Sequence, residues 1–321
     1  MRELHSDILI LGSGGAGLFA ALHAHKAAPQ ASITVAVKGL LGKCGCTRMV
    51  QGGYNVALAR EDSIERHFMD TIVGGAWLCD QELAWKLVVL AIERIKELEN
   101  ELGCFFDRNP DGTVHQKAFA GQTFDRTVHK GDLTGIEIIN RLAEQVWARK
   151  IGRLEEHRAV ELIKNAAGDA VAGVLFIDMR TGEYVFVRAK AVLLATGGGP
   201  TMYKYHTPSG DKTCDGLAMA LRAGLPLRDM EMVQFHPTGL LAGTHTRMTG
   251  TVRSKVWPAN AFWWTLPSAL RSKKQPSSFS SSRMRSTALV TSVQARSWSG
   301  SHLPPSSPAS ILLTLGQSLP R

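Results

Sequence analysis

The apolar positions near the start of the chain fall in one unbroken block, Asp7-Ile-Leu-Ile-Leu11, which predicts a buried strand. Gly12-Ser13-Gly14-Gly15-Ala16-Gly17 follows without a spacer, and Leu18 to Ala28 then reads as a helix. Ser32 to Val37 predicts a second strand that ends at Lys38. Further along, Gln81 to Leu102 sets Leu83, Leu87, Leu90, Ile95 and Leu98 near helical spacing, with Glu93, Lys96, Glu97 and Glu99 between them. That pattern belongs to a packing helix. Leu133 to Lys150 predicts another helix, whereas Arg158 to Ala191 alternates in strand fashion around turns at Gly168-Asp169 and Thr181-Gly182, as a β-meander does. Ala191 to Ala195 reads as a buried parallel strand leading into Thr196-Gly197-Gly198-Gly199, and Asp215-Gly216 opens a helical segment from Leu217 to Ala223.

The order strand, glycine turn, helix gives the first motif its chemistry. Gly12 permits the tight turn, Gly14 lets main chain approach a pyrophosphate, and Gly17 allows the helix to pack closely on the strand. The first helical turn offers N–H donors to the anion. A dinucleotide site is therefore expected over Gly12, Ser13, Gly14, Gly15, Ala16 and Gly17. At the end of the second strand, where such units present an acid to the ribose hydroxyls, this chain carries Lys38, which has donors only. An NAD reading loses its expected acceptor, and a flavin nucleotide held by further segments remains open.

Composition changes the picture at one place. From Arg253 to Arg321 there are 9 Lys and Arg, no Asp or Glu, 17 Ser and 2 Gly, so the 28 basic and 28 acidic residues before Arg253 balance and the whole charge of +9 lies in the last 69 residues. A basic segment of that kind is a weak nucleic-acid signal, and no nucleic-acid partner is expected. No run of about 18 apolar residues predicts a membrane span, and Met1 to His5 lead into a strand pattern with no signal-peptide core, which points to the cytoplasm. Cys44, Cys46, Cys79, Cys104 and Cys214 form no CxxC pair, which suits reduced thiols and no metal site.

Four ordered segments carry a resemblance. Gly45-Cys-Thr-Arg-Met-Val-Gln51-Gly52-Gly53, Ala195-Thr-Gly-Gly198, Asp215-Gly216 and Leu227-Arg-Asp-Met-Glu-Met-Val-Gln-Phe-His236-Pro237-Thr238-Gly239 together resemble the succinate dehydrogenase/fumarate reductase flavoprotein family, which includes L-aspartate oxidase. The likeness runs from about Asp7 to Val252. It implies an α/β fold: a Rossmann-like FAD-binding domain with a parallel sheet over 1-235, carrying the β-meander at about 154-190, then the start of a substrate or capping domain at 236-252. It also implies hydride transfer between a C4 dicarboxylate and FAD, with succinate/fumarate preferred over L-aspartate as substrate.

Residue by residue, the resemblance assigns FAD contacts to Lys38, Cys46, Thr47, Gln51, Gly52, Gly53, Val160, Thr196, Gly197, Gly198 and Asp215. The residues alone leave two alternatives open: Asp215 is equally a helix cap, and Val160 equally sheet core. His236 matches the substrate-contacting His of the family and is the candidate catalytic residue, while Phe119 resembles an aromatic wall of the dicarboxylate pocket or is a core Phe. The family often binds FAD covalently through a His one residue before the Thr of the first loop; here that residue is Cys46, so non-covalent FAD is expected. Asp125 to Asp132 reads as a solvated loop with no catalytic part. After Val252 the family continues with a Glu-Gly-x-Arg-Gly segment, a capping domain and a closing helix. This chain instead has the Ser-rich residues 253-321, expected to be disordered or out of frame, with a functional basic tail as the alternative and a non-catalytic FAD-binding fragment as the competing function. Respiratory members dock an iron-sulphur subunit, which would hold the chain against the inner face of a membrane; aspartate oxidases act alone.

Overall fold

The computed structural model describes residues 1–119, 121–203, 206 and 208–233, together with the backbone of 310–313. The expected substrate-domain start at 236-252 lies outside the described residues, as does most of 253-321. Strand β1 (Arg2–Leu11) is flanked in parallel by β2 (Ile33–Ala36) on one side and, further along the chain, by β9 (Tyr184–Leu194) on the other. Helix α1 (Gly15–Ala27) makes the crossover between β1 and β2. A short strand β6 (Gly152–Leu154) extends the parallel sheet beyond β2.

The block of apolar residues in β1 follows from burial on both faces. Leu9 and Leu11 point to one side with Ala36, Val192 and Leu194, while Ile10 points to the other with Leu18, Val35 and Leu193. All three β1 residues are buried, each contributing about 1.5–3 kcal/mol on transfer from water. Helices α2 (Ile64–Gly74), α3 (Gln81–Asn100) and α4 (Thr134–Trp147) lie between β2 and β6 in sequence, and α3 and α4 supply Ala91, Ile95, Ile139 and Val146 to the core on the Ile10 side. Of these, α2 has no counterpart in the expected elements. Its start is set by Ser63, whose hydroxyl accepts from Arg66 N, as Asp80 accepts from Leu83 N at the start of α3.

The meander is built by β7 (His157–Lys164), β8 (Val171–Asp178) and β9, with Gly168 and Gly182 at positive φ in the two turns. It is continuous with the main sheet. The first half of β9 pairs antiparallel with β8 while the strand from Val185 to Leu194 pairs parallel with β1, giving the order β6-β2-β1-β9-β8-β7. Helix α5 (Asp215–Arg222) packs on the opposite face from α1, with Met219 and Ala220 in the same core as Leu9 and Phe176. A small antiparallel sheet joins β3 (Tyr54–Asn55), β5 (Thr127–Val128) and β4 (Gln116–Lys117).

Three expectations change. The buried face of α3 is Ala84, Val88, Ala91, Ile95 and Leu98, and Leu83 is exposed. The inward stripe runs one position along from Leu83 and Leu87, at Ala84 and Val88, so those two Leu fall off it. Asp125 to Asp132 is no solvated loop: Arg126, Thr127, Val128 and His129 are buried, because two carboxylates neutralise Arg126 and β5 sits at the centre of its sheet. Within the segment expected to be disordered, the backbone of β10 (Ser310–Leu313) pairs parallel with Ala191–Leu194, along the part of β9 that β8 leaves uncovered.

Candidate functional site

The carboxyl ends of β1, β2 and β9 meet the first turn of α1, and the glycines there are required by backbone contact. A Cβ on Gly12, whose φ is +113°, would lie 2.3 Å from Ala195 O, and one on Gly17 would lie 1.9 Å from Gly12 O. These two residues let β1, α1 and β9 close on one another. Gly14 caps α1 with no side chain and the first turn carries no acid, so apart from Gly15 N, which bonds Thr47, its N–H groups and positive dipole end face the space beyond β1. Ser13 is buried with its Oγ 3.9 Å from Cys44 Sγ, and Ala16 is half-buried on α1.

A second segment folds over this turn. Gly15 N donates to Thr47 Oγ1 at 3.0 Å, and a Cβ on Gly15 would meet Thr47 Cγ2 at 3.2 Å. Thr47 sits in a short 3-10 turn, Thr47–Met49, preceded by Cys46 and held from behind by α4. There Gly135 N donates to Val50 O at 2.9 Å, and a Cβ on Gly135 would lie 2.0 Å from Thr47 O. Gly135 is a support the sequence reading missed, although a glycine in the first turn of a predicted helix signals close approach. The loop then runs through Gln51, exposed, and Gly52 to Gly53, whose φ is +133° and whose Cβ would lie 2.4 Å from Val128 O. The Phe119 ring is half-buried against Gly52, 3.1 Å from where a Cβ would be.

The third segment follows β9. Thr196 packs on Gly216, where a Cβ would fall 1.9 Å from Thr196 Oγ1, so α5 starts directly behind it. Gly197 has φ +70°, and Gly198 borders open space. Asp215 lies in the first turn of α5, but its carboxylate does not cap the helix. It accepts from Lys38 Nζ and Arg158 Nη2, both at 2.8 Å, and from Thr213 Oγ1 at 2.7 Å. Burial pushes this carboxyl up, but the bonds from Lys38, Thr213 and Arg158 outweigh it and hold Asp215 below the usual range. An acid therefore does stand at the end of β2, delivered by α5 instead of the strand. Val160, half-buried, lies at an irregularity in β7 with its carbonyl accepting from Arg222 at 2.6 Å, a residue of α5. His236 lies outside the described residues.

The donor set fits a dinucleotide. Main-chain N–H groups at a helix start that carries no acid suit a pyrophosphate, and an acid with basic neighbours suits a ribose, while the glycines of Gln51–Gly53 let that turn close against Phe119 and Val128. The family described as FAD binding domain matches residues 7–257. The chain belongs to that family. It is 42% identical over 253 residues to an uncharacterized FAD-dependent oxidoreductase of Methanocaldococcus jannaschii, covering 78% of this chain and 46% of the relative. It is 38% identical over 241 residues to the fumarate reductase flavoprotein subunit of Escherichia coli, covering 75% of this chain and 39% of that subunit. Among solved structures, an E. coli quinol fumarate reductase superposes with a TM-score of 0.71 at 38% identity, covering 75% of this chain and 40% of that one. The chain thus spans less than half the length of these relatives. FAD is the cofactor of the family, and the cradle formed by Gly12–Gly17, Thr47 and Thr196–Gly198 fits it. Among the described residues no helix is long and apolar enough to cross a membrane.

Proposed function

We propose that this chain is the FAD-holding part of a succinate/fumarate-type oxidoreductase and binds the cofactor without a covalent bond. The observation that carries this reading is the meeting of three separated glycine-bearing segments at the start of α1, with Gly12 against Ala195, Gly15 against Thr47 and Thr196 against Gly216. Gly12, Ser13, Gly14, Gly15, Ala16 and Gly17 would seat the pyrophosphate, and Lys38, Asp215 and the strand at Val160 the adenosine end. Cys46, Thr47, Gln51, Gly52, Gly53, Thr196, Gly197 and Gly198 would line the flavin end. When bound, FAD supplies the hydride-transfer chemistry. Phe119 would wall the dicarboxylate and His236 would donate a hydrogen bond to a substrate carboxylate, holding it in position. Relatives named fumarate reductase flavoprotein subunits support a C4 dicarboxylate and a partner subunit, which the family resemblance makes an iron-sulphur subunit through which the chain would lie at the inner face of a membrane.

A second reading, FAD binding without turnover, is favoured by the loss of all acidic residues after Arg253 close to where the family match ends at 257. One experiment separates the readings: visible absorbance of the FAD-loaded chain, followed by fumarate-dependent reoxidation of a reduced dye. Bound flavin with turnover supports the first, bound flavin without turnover the second, and failure to hold flavin refutes both.

A further inference from the structure

A buried ion cluster lies behind the Gln51–Gly53 turn, and neither the cradle nor the proposed chemistry uses it. Arg126, with no exposed side-chain surface, donates from Nε and Nη2 to both oxygens of Asp62 at 2.8 and 2.9 Å, and from Nη1 to Asp70 Oδ2 at 2.5 Å. Asp70 Oδ2 also accepts from the backbone N and the Oγ1 of Thr123, at 2.9 and 3.0 Å. His67, buried beside the cluster, is kept neutral chiefly by burial and then by the nearby Arg126.

The cluster has a mechanical reach on both sides of the turn. Arg126 immediately precedes β5, whose Thr127 and Val128 form the surface that Gly53 crosses with no space for a Cβ. Arg126 O accepts from Val56 N at 3.0 Å, which ties β5 to the chain just beyond the turn. Thr123 belongs to the loop that begins at Phe119, and Gln122 of the same loop donates to Thr127 Oγ1 at 3.4 Å. The Phe119 ring in turn rests on Gly52. Two neighbouring glycines of one turn are thus each pressed by a residue that the same carboxylate–guanidinium group anchors to α2. A buried ion group of this kind is weak evidence for added stability, and fixing one geometry is the better-attested use.

We propose that Arg126, through Asp62 and Asp70, is a positioning residue that sets the Gln51–Gly53 turn and the Phe119 ring relative to the flavin. This rests on the proposed function in assigning the flavin end to that turn and, for the malonate outcome, the dicarboxylate wall to Phe119. Thr123→Val removes the hydroxyl bond to Asp70 and keeps the backbone N bond, loosening the Phe119 loop while leaving the buried cluster whole, and Arg126→Lys, which disturbs the cluster itself, is the deciding variant. Amide hydrogen exchange on the full chain without cofactor is expected to rise at least about tenfold at 119–124 and at 51–53 together in Thr123→Val, as losing a hydrogen bond to a charged group implies. With FAD bound, visible circular dichroism of the flavin should change, FAD affinity should stay within about threefold, and malonate, used as a dicarboxylate probe, should bind about tenfold more weakly. A purely structural role lowers the melting temperature but leaves the flavin dichroism alone. Coupled exchange and altered dichroism, with malonate silent even in the wild type, would sink the dicarboxylate reading and keep the positioning role. Unchanged exchange at 51–53, or unchanged dichroism in both variants, would overturn the proposal itself.

Discussion

Replacing Gly17 with Ala sets two well-known effects against each other. In an ordinary helix the change gains about 1 kcal/mol of helix propensity. Here the new Cβ would stand 1.9 Å from Gly12 O and 2.9 Å from Gly12 C, backbone atoms that cannot rotate away. Restoring ordinary contact at about 3.4 Å requires α1 to retreat by about 1.5 Å from the end of β1. Overpacking of this kind costs about 1–3 kcal/mol, so net folding stability falls by about 0–2 kcal/mol. Cofactor binding suffers more, because the helix start that moves is the one whose N–H groups face the pyrophosphate. Losing two charge-assisted hydrogen bonds at about 1.5–3 kcal/mol each removes at least about 3 kcal/mol, a hundredfold or more in Kd. Urea unfolding of the cofactor-free chain and titration with FAD by flavin fluorescence measure the two effects separately. Gly168→Ala is the control: its φ is +75° with open space around it, so it should cost about 1 kcal/mol of stability and nothing in FAD affinity. A Gly17→Ala chain that binds FAD within about threefold of wild type would refute the argument.

Three further outcomes follow from the same geometry. Acid precipitation should release all flavin into the supernatant, because Cys46 stands where a linking His would be; colour retained in the pellet would contradict non-covalent binding. Asp215→Asn should destabilise the chain by about 1–2 kcal/mol at pH 7, since Lys38 and Arg158 lose their shared carboxylate. The folded carboxyl titrates below its ordinary 3.8, so the contribution is full above that value and lost as pH falls through the folded one; equilibrium unfolding of wild type and variant should converge at the acid end. His67 is held down to about 4, chiefly by burial, against an ordinary value of 6.5. The unfolded chain therefore takes up the proton first, and between 6.5 and about 4 stability should fall by about 3 kcal/mol at about 1.4 kcal/mol per pH unit. His67→Leu should flatten that slope in urea titrations over the same range.

The parts of this protein legible from residues alone are those where a backbone requirement leaves a mark in the sequence. Gly12 and Gly17 follow a strand and open a helix, and the structure gives each a contact that excludes any side chain. The meander was readable because its turns carry Gly168 and Gly182, which adopt positive φ. What escaped was set by distant partners. Arg126 looks like a surface charge in Asp125-Arg126-Thr127, and only the fold brings Asp62 and Asp70 to it. Lys38 read as a missing acid because the acid arrives from α5, far along the chain. Leu83 looked buried on spacing, yet the packing of α3 selects Ala84 and Val88 instead, a choice made by neighbouring elements and invisible to periodicity.

The central claim is that the uncapped start of α1 receives a pyrophosphate while the loop at Thr47 and the end of β9 close around the rest of FAD. Titrating the cofactor-free chain with FAD and with riboflavin, and repeating the FAD titration in the presence of ADP, tests it most directly. FAD should saturate at one equivalent, ADP should compete for the site, and riboflavin, which lacks the pyrophosphate, should bind at least about a hundredfold more weakly. Riboflavin binding as tightly as FAD, or FAD binding that ADP leaves untouched, would contradict it.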